Sequence, residues 1–510
     1  MEDRRSQRRL RPVLAALIAG GDDVATTVEQ ETTAIAKEVR VALPSALLAL
    51  LPDGVEDLVV RPASVEDEKT LDRVTHYGFA APGDPDGPGM SEMLGEDESR
   101  ILTDATWGAF AGEMAVSQLL AHPWTMGGGN AGCGLAAVSG VGTLPEFRRL
   151  GVLRTMMSML FKDMRQKGQA IAALGATQAA IYQRYGYAQA VCDVRTYSID
   201  TVDVAFVDGD GGSCIVTRRE INEELRDIMQ PLYDQFIEGR CCAVAFGGCE
   251  KHEWSSAHNR LFMEIPEAMA EMMGGRNSHF YAAVATNATG EARGYCIYQT
   301  ESGWSNGGGD HTPRHPTRDQ KINVAQLVWA DTDAYRSMLS FFARHDLVGE
   351  INLMELPSDD PAPTLLLEPR LLRTKVHEGS WWRIVDVIGA LESRRYDSYS
   401  SLLSLQAAGV ADTLTLAVSD DERLAPWNIG IFQLKVDSDG TAIVNKVESN
   451  EEEVAEISVG ISELALLWAG TKSARELHTW QLLTAQDEAA LAKADLLFTT
   501  KRAPFCFNGW

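Results

Sequence analysis

The sequence of 510 residues has little that would staple or metallate a small fold: its eight cysteines include no CxxC and no paired Cys/His spacing. Cys241 and Cys242 are adjacent and Cys249 stands alone after them, a pattern of reduced thiols rather than a disulfide framework or a structural zinc site. Basic residues are in deficit, 46 against 72 acidic, for a net charge of −26. That balance argues against a nucleic-acid binder and fits either plain solubility or a cationic partner. No apolar run reaches the roughly 20 residues a membrane-spanning helix needs. Arg4, Arg5, Arg8, Arg9 and Arg11 precede "PVLAALIAG" in imitation of a secretory leader, but the run is short and "GGDD" follows at once. A lead-in helix and a cytoplasmic protein are expected. Two nucleotide-binding signatures are also missing: GxxxxGK[ST] is absent, and no GxGxxG opens a helix directly after a strand.

What is present is "EFRRLGVLRTMM", two arginines and a glycine ahead of a helical pattern. Leu153, Met156, Met157, Leu160, Phe161 and Met164 recur at helical spacing and share one face. Gly168 is a suitable stop. Before the turn, "AAVSGVGTLPEF" reads as a strand ending at Pro145. A helix N-terminus offers unpaired N–H groups and the positive end of the helix dipole, so this strand, turn and helix make a phosphate cradle. Downstream, "AIAALGAT" reads as a second buried strand and "AAIYQRYGYAQA" as a short helix closed by Gly186. On spacing alone a basic turn before a helix is more often solvated than liganded.

The conjunction "GVGTLPEFRRLGVLRTMM" and "IYQRYGYA" resembles the GCN5-related N-acetyltransferases (GNAT), and more closely their Eis (enhanced intracellular survival) family. "WWRIVDVIGALESRRY", "APWNIGIF" and "RAPFCF" extend the resemblance over residues 58 to 510. The superfamily's R/QxxGxG/A loop ends here in Leu153, a departure shared with Eis proteins. The resemblance implies an α/β (α+β) chain with tandem GNAT folds, the second degenerate, followed by a sterol-carrier-protein-like α+β domain. The expected boundaries are a helical extension over 1–57, a catalytic domain over 58–205, a second GNAT-like domain over 206–385 and the sterol-carrier-like domain over 386–510. In the second domain "ADTDAY" puts Asp331 and Asp333 at the cradle position, where carboxylates cap a helix but repel pyrophosphate.

Acetyl transfer from a thioester to an amine needs a held donor, a deprotonated amine, a stabilised oxyanion and a proton for the leaving thiolate. By resemblance the donor is acetyl-CoA, with no metal. Its pyrophosphate would lie on the amides around Arg149, Leu150, Gly151, Val152, Leu153 and Arg154, with Arg148 and Arg149 adding charge. Val141, Gly142 and Thr143 would pair with the pantetheine arm, and Thr177 and Gln178 would contact it from the neighbouring strand. Tyr182 matches the family's general acid; on the residues alone, a core aromatic like Tyr185 or Tyr187 is the stronger reading. The family's base is the terminal carboxylate, which falls on Trp510. An α-carboxyl with a pKa of about 3.5 must be raised by burial or act through water to take an amine proton. Cationic small molecules such as aminoglycosides or polyamines, or lysine side chains, are the expected acceptors, and a homohexamer the expected assembly. The competing reading is a non-catalytic lipid-binding or scaffolding protein that retains these folds.

Overall fold

The computed structural model describes residues 38–43, 51, 55–80, 104–248, 279–301, 318–396, 413–447 and 455–507. In chain order the first part gives β1 (Val39–Ala42), β2 (Asp57–Pro62), α1 (Glu68–Phe79), β3 (Thr106–Ala111), β4 (Met114–Thr125), β5 (Gly134–Thr143), α2 (Val152–Gln166), β6 (Gln169–Leu174), α3 (Ala179–Tyr182) and β7 (Val194–Asp200). The second gives β8 (Ile215–Arg219), α4 (Glu223–Ile237), β9 (Tyr281–Thr286), β10 (Ala292–Glu301), β11 (Gln320–Trp329), α5 (Thr332–Ala343), β12 (Val348–Leu356), α6 (Ala362–Leu365), β13 (Arg373–His377) and β14 (Trp381–Ile384). The last gives α7 (Val387–Ser393), β15 (Thr413–Ser419), β16 (Gly430–Val436), β17 (Ala442–Val447), β18 (Ile457–Gly460), α8 (Ile461–Ala469), α9 (Ala474–Thr479), β19 (Leu483–Ala485) and α10 (Glu488–Phe498).

Two seven-stranded sheets, β1-β2-β3-β4-β5-β6-β14 and β13-β7-β12-β11-β10-β9-β8, repeat one plan, and a five-stranded sheet β17-β16-β15-β18-β19 follows. In each large sheet a single parallel step, β5 to β6 and β11 to β12, is bridged by a helix. The two sheets exchange strands. β7 follows β6 in the chain but pairs antiparallel with β12, while β14 follows β13 and pairs antiparallel with β6. Each large unit is therefore completed by a strand from the other side of the sequence.

Strand β6 is buried at all six residues because both faces of its sheet are covered. Ile171 and Ala173 face the core shared with α4 and the third unit, and Ala172 and Leu174 face the core under α2. The predicted apolar face of α2 is the packed one: Met156, Met157, Leu160, Phe161 and Met164 are buried and Leu153 is half-buried. Each fully buried side chain contributes roughly 1.5–3 kcal/mol gross, which fixes the helix N-terminus against the sheet. The helical pattern expected ahead of residue 57 does not hold at Val39–Ala42. There the Val-Arg-Val-Ala alternation pairs antiparallel with β2 as an edge strand, with half-buried residues alternating with exposed ones. The rest of that expected extension lies outside the described residues, apart from Glu38, Leu43, Leu51 and residues 55–57.

Candidate active site

The site forms where β5 and β6 separate. Their parallel pairing stops at Ala137 and Ala173, yet β5 runs on to Thr143. On its other edge β5 carries a bulge: Gln118 opposes Gly142 but Leu120 opposes Ser139, so β5 has one extra residue. Gly140 supplies the positive φ there, +59°, and a Cβ on it would meet Leu120 at 2.8 Å. Beyond the bulge, Gly142 and Thr143 still pair with Gln118 and Ser117 of β4, while their other edge has no partner in β6. Ser117 Oγ donates to Gly142 O at 2.8 Å and lies 2.8 Å from Thr143 Oγ1, fixing that segment from behind.

The turn follows directly. Phe147 N–H bonds to Leu144 O and Arg148 N–H to Pro145 O, and backbone bonding resumes only with Thr155 N–H to Gly151 O. Among the described residues the amides of Arg149 to Arg154 have no backbone acceptor, those from Val152 on because they open a helix. Arg149 and Gly151 both have positive φ, +65° and +83°. A Cβ on Gly151 would have nothing within 4 Å, so the cradle is open on that side. The non-glycine left-handed residue is a local strain characteristic of ligand-holding turns. Arg148 Nε donates to Thr143 O at 3.0 Å, holding its guanidinium across the strand end, and Arg149 and Arg154 are exposed beside it. These residues fit a pyrophosphate: six free amides, an open glycine face and adjacent cations.

Thr177 and Gln178 are exposed in the link between β6 and α3, on the far lip of the gap. Tyr182 ends α3, 7% exposed, in the same packed cluster as Val141, Leu150, Val152 and Leu153. Tyr182 thus packs into the same apolar core as the strand end and the turn. Burial, then the neighbouring Tyr185, push the Tyr182 hydroxyl up to about 12, so it carries its proton at neutral pH. Tyr187 stands edge-on to it, centroids 6.0 Å apart. Trp510 lies outside the described residues. The chain leading toward it is seated: Phe505 and Phe507 are 1% and 6% exposed against Phe236.

The third unit also reaches the site helix. Ser158 Oγ on α2 donates to Arg423 O at 2.9 Å, and Arg165 lies 5.1 Å over the Trp427 ring. No local sequence signal announced these contacts, nor the bulge at Gly140, which only the register reveals.

Among the described residues the second large unit has no equivalent cradle. Asp331 caps α5 by accepting from Ala334 N–H at 2.9 Å, and Arg293 neutralises it at 2.8 Å. Asp333 accepts from Ser213 N–H at 2.9 Å. Protein carboxylates occupy the position that amides and arginines keep open in the first unit.

Comparison with known proteins agrees with this architecture. A model of an acetyltransferase (GNAT) domain matches residues 59–190, a second acetyltransferase (GNAT) domain model matches 257–384, and a sterol carrier protein domain model matches 387–507. The chain is thus an acetyltransferase built of two GNAT domains and a sterol-carrier-like domain. An uncharacterized N-acetyltransferase of Streptomyces avermitilis is 27% identical over 463 residues, 88% of this chain and 98% of the relative. N-acetyltransferase Eis of Mycobacterium tuberculosis is 27% identical over 377 residues, 72% of this chain and 78% of the relative. The crystal structure of Eis1 from Mycobacterium abscessus shares the fold, with a TM-score of 0.65 at 22% identity, covering 89% of this chain and all of that one. So does a GCN5-related N-acetyltransferase from Anabaena variabilis, with a TM-score of 0.68 at 20% identity over 89% of this chain and all of that one. The protein is thus similar to the Eis N-acetyltransferases in both domain order and sequence. Among the described residues no helix is long and apolar enough to cross a membrane.

Proposed function

We propose that the chain moves the acetyl group of acetyl-CoA to primary amines of cationic small molecules, aminoglycosides or polyamines, or to lysine side chains. The observation that supports this reading is the run of amides from Arg149 to Arg154 with no backbone acceptor among the described residues, following the strand end where β5 and β6 part, with Tyr182 in the same apolar core. Bound there, the coenzyme supplies a thioester whose carbonyl carbon accepts the amine nitrogen as the C–S bond breaks. Arg148, Arg149 and the turn amides hold the pyrophosphate; Val141, Gly142 and Thr143 align the arm along β5; Thr177 and Gln178 border it from β6. Tyr182 donates its proton to the departing sulfur; burial keeps that proton in place at neutral pH but weakens the acid, so the transfer needs the thiolate desolvated in the same apolar site, where its own basicity rises. The Trp510 carboxylate takes the proton the amine loses. An acidic protein of net charge −26 favours approach of a cationic acceptor. A homohexamer in the cytoplasm completes the proposal by family resemblance.

The test is coenzyme A release with a panel of polyamines, aminoglycosides and lysine peptides, with products weighed by mass spectrometry. Acetylated amine and free coenzyme A in equal amounts are expected. Co-purified lipid with no binding of acetyl-CoA would instead establish the lipid-binding reading.

A further inference from the structure

The loop that joins β15 to β16 in the third domain lies along α2 of the first. Leu424 in it is 1% exposed and belongs to the apolar core beneath α2. Trp427 Nε1 donates to Val385 O, just beyond β14, at 2.8 Å, and Ser158 Oγ on α2 donates to Arg423 O at 2.9 Å. On this anchored loop Arg423 is braced side-on by an acid two residues earlier: Nε donates to Asp421 Oδ1 and Nη2 to Asp421 Oδ2, both at 3.1 Å. Its Nη1 has no partner among the described residues, and the side chain is 66% exposed, open to a ligand. Arg154 stands one turn before Ser158 on the same face of α2 and closes the cradle sequence. It is exposed and makes no side-chain hydrogen bond among the described residues. Burial would raise the Asp421 carboxyl, but its bonds to Arg423, then the charges of Arg423 and Arg154, hold it below the ordinary range. Two guanidiniums, one from each domain, thus act on one carboxylate near the start of α2 and keep donors to spare.

Coenzyme A carries a pyrophosphate, which the cradle accounts for, and a further phosphate monoester on the ribose 3′ oxygen, which it does not. That monoester bears about −1.5 to −2 charge at pH 7. A chain of net charge −26 repels it unless local cations receive it. We infer that the third domain completes the coenzyme site, with Arg423 and Arg154 together holding the ribose 3′-phosphate. The inference rests on the acetyl-CoA reading of the cradle. Arg154 belongs both to the turn and to this pair, so one coenzyme can engage the two at once. Asp421 fixes the plane of the Arg423 guanidinium and leaves Nη1 and the outer edge of Nη2 for phosphate oxygens, the geometry in which arginine binds them best. Arg423 would meet the ribose end of the coenzyme, away from the thioester, so it is a binding residue with no part in the chemistry. The sterol-carrier-like domain thereby gains a part in choosing the acyl donor, coenzyme A over its dephospho form.

The experiment titrates the full chain, wild type and Arg423→Gln, with acetyl-CoA and with 3′-dephospho-acetyl-CoA. Arg423 is exposed and its carbonyl keeps the bond to Ser158, so the substitution spares the fold. Wild type is expected to bind acetyl-CoA about tenfold more tightly than the dephospho form, the weight of charge-assisted hydrogen bonds to one phosphate. Arg423→Gln is expected to raise Kd for acetyl-CoA by about tenfold and to leave Kd for the dephospho form unchanged. A variant that weakens both ligands equally would overturn the inference, since a merely structural loop does not sense the 3′-phosphate. Wild type binding both forms alike would overturn it too, while leaving the cradle reading intact. Binding of neither form by wild type would contradict the acetyl-CoA reading itself, and the 3′-phosphate site with it.

Discussion

Arg383 Nη2 donates to Asp420 Oδ2 at 2.7 Å, with the two side chains 0% and 2% exposed. The pair joins β14, the strand that closes the catalytic sheet, to the third domain. Asn428 Nδ2 adds a bond to the same Asp420 oxygen at 3.1 Å, while Arg383 Nε and Nη1 have no protein partner among the described residues. A charge so placed tolerates no loss of its counterion. Asp420→Ala is expected to destabilise the protein by about 3–5 kcal/mol, because an uncompensated guanidinium remains buried. A urea midpoint within error of wild type would contradict this.

Gly151→Ala tests the cradle with no steric clash inside the protein, at the cost of local backbone strain. The new methyl meets no protein atom within 4 Å, but it enters the space kept open for the coenzyme, at a φ of +83°. About 1–2 kcal/mol of backbone strain is expected, together with roughly a tenfold rise in Kd for acetyl-CoA. Isothermal titration with acetyl-CoA measures it; wild-type affinity would remove the turn from the site.

Asp360 sets a pH dependence in the second domain. It is 5% exposed, and burial raises its carboxyl to about 7 despite the Tyr335 hydroxyl and Ala362 N–H it accepts. An unfolded carboxyl titrates near 3.9. Between those values the folded chain binds the extra proton, so this group's contribution to stability is full at low pH and declines as pH rises toward 7. Asp360→Asn keeps an acceptor oxygen and removes the titration. Its melting temperature should exceed wild type at pH 8 and converge with it near pH 4; parallel curves would show that Asp360 does not govern the slope.

The terminal carboxylate has its own test. A few residues added after Trp510 should leave acetyl-CoA binding intact and lower kcat by at least about 10²-fold, the usual weight of a general base. Equal turnover would dismiss Trp510 while keeping the enzyme.

The local features of the site were legible because each has a short-range cause. Pro145 and Gly151 punctuate the turn, the Leu and Met spacing makes α2, and Asp331 announces a capped rather than a phosphate-binding helix. The order of two GNAT folds and a sterol-carrier fold was legible from motifs spread along the chain. What escaped was long-range pairing. Nothing in "VRTYSID" says that β7 crosses to β12, nor in "WWRI" that β14 returns to β6, since strand alternation specifies a face and not a partner. The same limit hid the Arg383–Asp420 pair and the Ser158–Arg423 contact, 37 and 265 residues apart in sequence. At Val39–Ala42 the error was of period: four alternating residues inside a longer helical pattern obey their sheet neighbour.

The most direct measurement compares coenzyme A release by wild-type and Tyr182→Phe chains, with a polyamine acceptor, across pH. Tyr182 is held at about 12 by burial, so wild-type kcat should show no loss of this acid up to pH 10. Tyr182→Phe should bind acetyl-CoA normally and turn over at least about 10²-fold more slowly. Equal turnover by the two chains would contradict Tyr182 as the proton donor, and no turnover by either, with any amine of the panel, would contradict amine acetylation itself.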